Sequence, residues 1–244
     1  MIPSIVTARS QRWAKAKIFL YFFFGEKHDY CCEKAIEFVK LHFSEVDIEL
    51  GKRGERFPEE AGWWKGAYIF AYLSPWIIPD YLLERASVAA INFHPGPPEY
   101  PGISCTNFAI YNQASVFGIT CHHMNPKVDT GRIIAVNRFP IFRRDSVYSL
   151  TQQCYSHILT LFYEIVSGIL EDKPLPKSDK TWQRKPYKRK ELNELCAIRP
   201  HMPAEEVKKR IRSTSFPGMP GAYVEIGGYK FMLESETIVN QKEI

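Results

Sequence analysis

The sequence predicts an α/β protein: an open, mostly parallel sheet with helices on both faces, then a short C-terminal extension ending in a β-hairpin. Three observations carry this expectation. "KIFLYFFFG" near the N-terminus is an unbroken apolar run, which suits a strand covered on both faces of a parallel sheet. Strand-like and helix-like stretches then alternate in a β-α-β-β-α-β rhythm. At Lys173 the composition changes sharply, which divides the chain into a core of residues 1–172 and an extension of residues 173–244.

Each element has its own justification. After the first strand, Asp29 is placed to cap a helix over "CCEKAIEFVKLHF", where Ala35, Phe38, Val39 and His42 recur with helical period. "EVDIEL" and "GAYIFAYLS" read as the second and third strands, the latter stopped by Ser74-Pro75. "IPDYLLERA" reads as a short helix and "VAAINF" as a fourth strand. Past Gly102, "SCTNFAIYNQ" reads as a helix, "VFGITCHHM" as a strand with Thr120 and His122 on one face, and "RIIAVNRFPI" as another strand. Leu150, Cys154, Ile158, Leu161 and Ile165 mark one stripe of a long amphipathic helix that closes the core near Glu171. "KPLPKSDKTWQRKPYKRK" holds eight basic residues and one acid, a local charge of +7, and reads as a loop. "AEEVKKRIRST" reads as a helix, and "PGAYVEIGGYKFML" as a hairpin turning at Gly-Gly.

Bulk properties exclude several classes. The chain of 244 residues is 45% hydrophobic, which is enough for a packed core and rules out a disordered chain. A net charge of +5 suits an anionic ligand without demanding nucleic acid. The six cysteines show no CxxC pair and no secreted-scaffold spacing, so a reducing, cytoplasmic setting is expected. Arg9, Arg12, Lys15 and Lys17 ahead of "IFLYFFF" imitate a leader. However, the apolar run is too short to span a bilayer and no small-residue cleavage site follows it. No membrane association is expected. No metal is expected at "TCHHM" either, since Cys121, His122 and His123 alternate across a strand and cannot all converge.

Two polar residues stand where function is expected. Asn92 and His94 end the fourth strand, and open α/β sheets bind ligands beyond the carboxyl ends of their strands. The "PGPPEYPG" that follows is restricted backbone, able to hold His94 at low entropic cost. Asp129, in the loop "VDTG" between two later strands, offers a third polar group.

The pair "NFHP…G" and, about thirty-five residues later, "VDTGRII" resembles the signature of the formyltransferases that use N10-formyltetrahydrofolate. The resemblance covers about Lys17 to Ile141 and implies a Rossmann-like catalytic core similar to that of methionyl-tRNA formyltransferase. It implies Asn92, His94 and Asp129 as the catalytic triad, with N10-formyltetrahydrofolate as co-substrate and no metal. In "HPGPPEYPG" the turn is one residue shorter than is usual in that family. An attacking amine needs an oxyanion donor and a group that manages protons. Asn92 suits the first task, His94 either, and Asp129 would orient His94. "AYLSPWIIPDYLL" resembles the family segment that walls the pterin slot, which implies Ser74, Trp76, Ile77 and Ile78 as folate contacts.

The tail "TWQRKPYKRKEL…IRSTSFPGMPGAYVEIGGYKFML" resembles the short extension of sugar N-formyltransferases, and this is the subfamily to which the chain is most similar. It implies formylation of a nucleotide-linked amino deoxysugar, in the first place a dTDP sugar, for surface polysaccharide or O-antigen synthesis. Arg184 and Lys185 would meet the pyrophosphate. Trp182 or Tyr187 would pack on base or sugar, and Tyr223 belongs to an element used for nucleotide binding or dimer contact. A homodimer is therefore expected. The alternatives are a methionyl-tRNA formyltransferase, which the shortness of the tail argues against, and a phosphoribosylglycinamide formyltransferase. A non-enzymatic RNA-binding module is a further alternative, but the charge is confined to one stretch and no RNP-type motif is present.

Overall fold

A computed structural model of the chain describes residues 20–24, as backbone, and residues 29–233. Arg9, Arg12, Lys15 and Lys17 lie outside the described residues. The chain divides into two compact units, residues 1–90 and 91–244.

The first unit contains β1 (Leu20–Phe24), α1 (Tyr30–His42), β2 (Val46–Leu50), a 3-10 helix (Glu59–Trp63), β3 (Gly66–Tyr72) and α2 (Asp80–Leu83). β4 (Ala86–His94) begins here and ends in the second unit. β1 pairs with β2 on one side and β3 on the other, both in parallel. Parallel neighbours need a crossover, and α1 supplies the one from β1 to β2. Asp29 starts that helix by accepting a hydrogen bond from Cys32 N (2.8 Å), as its sequence position predicts. Cys32, Ala35 and Val39 are buried, whereas Phe38 and His42 of the expected stripe are not. In β3 the last four residues, Ile69 to Tyr72, are all buried, which marks a strand covered on both faces.

In the second unit the direction changes. β5 (Val116–His123) pairs antiparallel with β4, and β6 (Ile133–Pro140) antiparallel with β5. The loop between β5 and β6 is too short for a parallel crossover, so the chain must double back. α3 (Cys105–Tyr111) lies between β4 and β5 in sequence, and α4 (Val147–Leu170) follows β6. α4 begins with a reciprocal cap, in which Ser146 Oγ accepts from Ser149 N (3.1 Å) and Ser146 N donates to Ser149 Oγ (3.0 Å). Leu150, Cys154, Ile158, Leu161 and Ile165 are all buried, and Val147, Phe162, Val166 and Ile169 widen the stripe. Phe162 meets Phe93 of β4 edge to face, with ring centroids 5.2 Å apart. Among the described residues no helix is long and apolar enough to cross a membrane.

Of the stretch Lys173 to Lys190, expected to be a loop throughout, residues up to Lys188 contain no helix, but Arg189 and Lys190 already belong to the next helix. The stretch is nonetheless tied down, for Tyr187 forms a parallel bridge with Gly102. α5 (Arg189–Cys196) was not expected, because Leu192 and Leu195 are too few to show helical period inside a charged run. α6 (Ala204–Thr214) forms where predicted. β8 (Tyr223–Ile226) and β9 (Tyr229–Met232) make the expected hairpin, and β7 (Ala197–Ile198) joins β8 in parallel. Gly227 and Gly228 both take positive φ, 58° and 81°, which a two-residue hairpin turn of this kind requires. Truncating the edge-to-face pair with Phe162→Ala should cost about 3–5 kcal/mol of unfolding free energy. Urea titration should then give an earlier midpoint at an unchanged slope.

Candidate active site

Side chains two apart on a strand share a face, so Asn92 and His94 leave β4 on the same side. β5 lies antiparallel with Asn92 opposite His122 and His94 opposite Thr120, which puts four polar side chains on one patch. Beyond His94 the proline-rich loop turns back over the imidazole. Thr120 Oγ1 donates to Gly96 O (2.8 Å), Cys105 Sγ donates to Pro95 O (2.8 Å), and His94 Nε2 donates to Tyr100 O (3.0 Å). A Cβ on Gly96 would lie 2.7 Å from His94 Nε2 and 2.8 Å from Tyr100 O, so only glycine lets the loop fold so tightly.

Asp129 comes from the loop between β5 and β6, with a left-handed backbone (φ 46°) that aspartate tolerates better than most residues. Gly131, two residues on, has room for no side chain, since a Cβ there would collide with the His123 carbonyl. The Asp129 carboxylate is 4% exposed and sits among donors. Gly102 N donates to Oδ2 (2.7 Å), and His94 Nδ1 lies 3.2 Å from the same oxygen. Oδ1 is 3.2 Å from His122 Nε2 and 3.4 Å from Asn92 Nδ2. Asn92, His94 and His122 are thus each brought within hydrogen-bond distance of Asp129.

Burial alone would push the Asp129 carboxyl upward. The charge of His94, the hydrogen bond and charge of His122 and the Gly102 N–H together overcome it and pull the pKa down to about 2. Asp129 is therefore an anion at neutral pH. Both ring nitrogens of His94 face oxygen acceptors, the Tyr100 carbonyl and the Asp129 carboxylate. His122 Nδ1 donates to His123 O (2.8 Å), so its Nε2 can either accept from Asn92 Nδ2 (3.0 Å) or donate to Asp129. The cluster can hold a negative charge and orient two imidazoles.

His122 is the member that the sequence reading did not single out. Its usable signal was the alternation that puts it on the face of Thr120, but only the β4–β5 register places it opposite Asn92. His123 is turned elsewhere, with its Nε2 accepting from Arg132 (3.3 Å). Among the described residues no group of three or more His, Cys, Asp or Glu could hold a metal.

The other candidates are placed as follows. Trp182 lies against the cluster, its ring centroid 5.0 Å from that of His122 and 5.9 Å from that of His94, and its Nε1 donates to Gly131 O (2.8 Å). Tyr187 is buried, stacked on Phe108 at 3.7 Å on one side and covered by Arg184 at 3.2 Å. Arg184 also pairs with Glu191 (2.6 Å), while Lys185 is exposed. Tyr223 lies in the hairpin under Lys230, whose Nζ is 3.7 Å from the ring centroid. Ser74, Trp76, Ile77 and Ile78 belong to the first unit. There Ser74 Oγ caps the turn by accepting from Trp76 N (3.1 Å), Trp76 packs on Gly51 and Phe57, Ile78 is buried and Ile77 is exposed.

The segment holding this cluster has a recognisable pattern. Residues 70–163 match the family model described as formyl transferase. The matched formyl transferase segment includes Asn92, His94, His122 and Asp129. Two curated relatives are similar. Methionyl-tRNA formyltransferase of Latilactobacillus sakei subsp. sakei (strain 23K) is 29% identical over 163 residues, 66% of this chain and 50% of that protein. GDP-perosamine N-formyltransferase of Brucella melitensis biotype 1 is 26% identical over 160 residues, 65% of this chain and 61% of that protein. The chain therefore matches only half to three fifths of these relatives' lengths. Among solved structures, a sugar N-formyltransferase from Shewanella sp FDAARGOS_354 has TM-score 0.71 at 16% identity, covering 91% of this chain and 100% of that one. An N-formyltransferase from Helicobacter canadensis, in complex with folinic acid and dTDP-3-aminofucose, has TM-score 0.67 at 20% identity, covering 87% and 85%. At such identities the likeness is one of fold.

The lowered pKa of Asp129 has a stability consequence with a definite sign. A carboxyl whose folded pKa lies below its unfolded value stabilises the fold above about pH 4, and that contribution is lost as pH falls towards about 2. Asp129→Asn should remove this acid-sensitive part. Unfolding midpoints of wild type and variant should diverge at pH 7 and converge near pH 2.

Proposed function

We propose that the protein transfers a formyl group from N10-formyltetrahydrofolate to the amine of a nucleotide-linked amino deoxysugar, with dTDP the preferred nucleotide. The observation that carries this reading is the buried anionic Asp129 with His94 and Asn92 on it, inside a formyl transferase segment. The nucleotide sugar is supported by the fold likeness to sugar N-formyltransferases and by the similarity to a GDP-perosamine enzyme. The folate donor is supported by the folinic acid in one structural neighbour. On this reading residues 1–172 carry the reaction and residues 173–244 hold the sugar nucleotide. The cytoplasmic protein acts as a homodimer, and its product enters surface polysaccharide or O-antigen synthesis.

In the proposed reaction the sugar amine attacks the formyl carbon. A C–N bond forms, the carbonyl electrons move onto oxygen, and the C–N10 bond then breaks while N10 takes up a proton. Asn92 Nδ2 faces both His122 Nε2 and Asp129 Oδ1 within the cluster, and by turning one of its two N–H bonds to the formyl oxygen it serves as the oxyanion donor. His94 carries the proton that Asp129 holds in place, gives it to N10 as the C–N10 bond breaks, and takes up in its place the proton that the attacking amine loses. The donor is placed by the segment Ser74, Trp76, Ile77 and Ile78, just past the carboxyl end of β3, where exposed Ile77 offers an apolar contact. Lys185 is the exposed cation for the pyrophosphate, and Arg184 reaches it on exchanging Glu191 for phosphate oxygen. Formylation of initiator methionyl-tRNA is the second reading, favoured by the 29% identity to the Latilactobacillus enzyme.

The protein should be incubated with N10-formyltetrahydrofolate and, in separate reactions, dTDP-, UDP- and GDP-linked amino sugars and initiator methionyl-tRNA. Mass gain of one formyl group on a nucleotide sugar is the expected result. Gain on the tRNA alone transfers the assignment to the second reading, and no gain on any acceptor overturns both. His94→Ala and Asp129→Asn should each lower kcat by ~10²–10⁴, the range for a positioned acid-base group. Near-normal turnover in either removes that residue from the reaction.

A further inference from the structure

We propose that Trp182 and Tyr187 are positioning residues for Asp129, and that the strap between them clamps the two loops on which the carboxylate depends. The strap crosses both loops and is bonded to each. Trp182 Nε1 donates to Gly131 O (2.8 Å), two residues after Asp129. Gln183 N donates to Pro98 O (2.9 Å), Tyr187 N donates to Pro101 O (2.8 Å), and Tyr187 O accepts from Ile103 N (3.3 Å). The last two bonds bracket Gly102, whose own N–H is the short donor to Asp129 Oδ2. With Pro101 and Ile103 both tied to Tyr187, the direction of the Gly102 N–H is set by the strap. Gly102 has φ 89°, and a Cβ there would collide with Tyr187 backbone, so the two chains lie in direct contact.

The strap is itself anchored. Tyr187 is stacked between Phe108 and the Arg184 guanidinium, and Arg184 is held by Glu191 of α5. At the other end the Trp182 indole stands nearly perpendicular to both imidazoles, at 87° to His122 and 74° to His94, and limits their rotation. Asp129 thus has its loop fixed through Trp182 and its backbone donor fixed through Tyr187. Reaction rates fall by up to ~10² for a misplacement of ~1 Å, so a clamp at this point acts on the chemical step rather than on substrate affinity.

The kinetic part of this inference rests on the formyl-transfer reading; the spectroscopic part does not. Trp182→Phe keeps an aromatic ring and removes the N–H donor, Trp182→Ala removes both, and Tyr229→Phe on the exposed face of the hairpin is a control. Full-length protein labelled with nitrogen-15 at histidine should be compared by NMR, with His94 and His122 assigned through single substitutions. Both Trp182 variants should shift or broaden the ring resonances of His94 and His122, while the control leaves them in place. On the acceptor identified above, kcat should fall about tenfold or more in Trp182→Phe with KM for both substrates within about twofold. Unchanged imidazole resonances in Trp182→Ala overturn the clamp, as does a loss confined to KM for the sugar nucleotide, which would make Trp182 a substrate contact. Should Trp182→Ala fail to fold, Trp182→Phe decides alone. Wild-type protein that formylates nothing defeats the functional reading, and the resonances still decide the clamp.

Discussion

The buried carboxylate of Asp129 is the constraint around which the second unit is arranged. An ionised group taken out of water costs several kcal/mol unless charges and donors replace its hydration. Here the replacements come from separate places in the chain: a backbone N–H at Gly102, imidazoles at His94 on β4 and His122 on β5, and an amide at Asn92. None of them works unless β4 and β5 are in register and the loop after β4 is folded back. The anion therefore ties strand pairing, loop closure and site chemistry to one another.

Glycine makes that closure geometrically possible. Gly96 lets the loop pass beside His94, Gly102 turns its N–H onto the carboxylate at a φ few residues adopt, and Gly131 passes against the His123 carbonyl. Prolines between the first two stiffen the path at small entropic cost. The segment 95–102 is shorter than is usual in the family it resembles, yet the close backbone approach at Gly96 and Gly102 still brings a peptide N–H to the anion. Backbone groups are as much part of this site as the side chains.

The extension beyond Lys173 shows how composition and position separate. The charge of +7 over residues 173–190 reads as a solvated or ligand-seeking run. Folded, the run commits Arg184 to Tyr187 and Glu191, and its aromatic residues Trp182 and Tyr187 turn inwards onto the loops around Asp129. Lys185 remains exposed and available. A cation in such a run reaches a ligand only by exchanging any neighbouring carboxylate that already holds it, and one-dimensional charge counts cannot see those neighbours. The same segment therefore has two faces, an inward one bonded to the loops around Asp129 and an outward one that presents Lys185.

The sequence by itself determined what local physics decides. Period and capping placed α1 at Asp29, α4 along its apolar stripe and α6 at Ala204. Gly227-Gly228 placed the hairpin turn, and the motifs around Asn92, His94 and Asp129 named the polar groups of the site. Three things were decided only in three dimensions. α5 has too few apolar residues for a period to emerge, and it forms where Leu195 finds burial. His122 belongs to the cluster because β5 runs antiparallel to β4, a choice of partner and register that a run of eight residues does not encode on its own. Trp182 and Tyr187 reach the loops of Asp129 across some fifty to eighty-five residues of intervening chain. Contacts at that separation depend on how the whole unit closes, and no short window of residues contains that information.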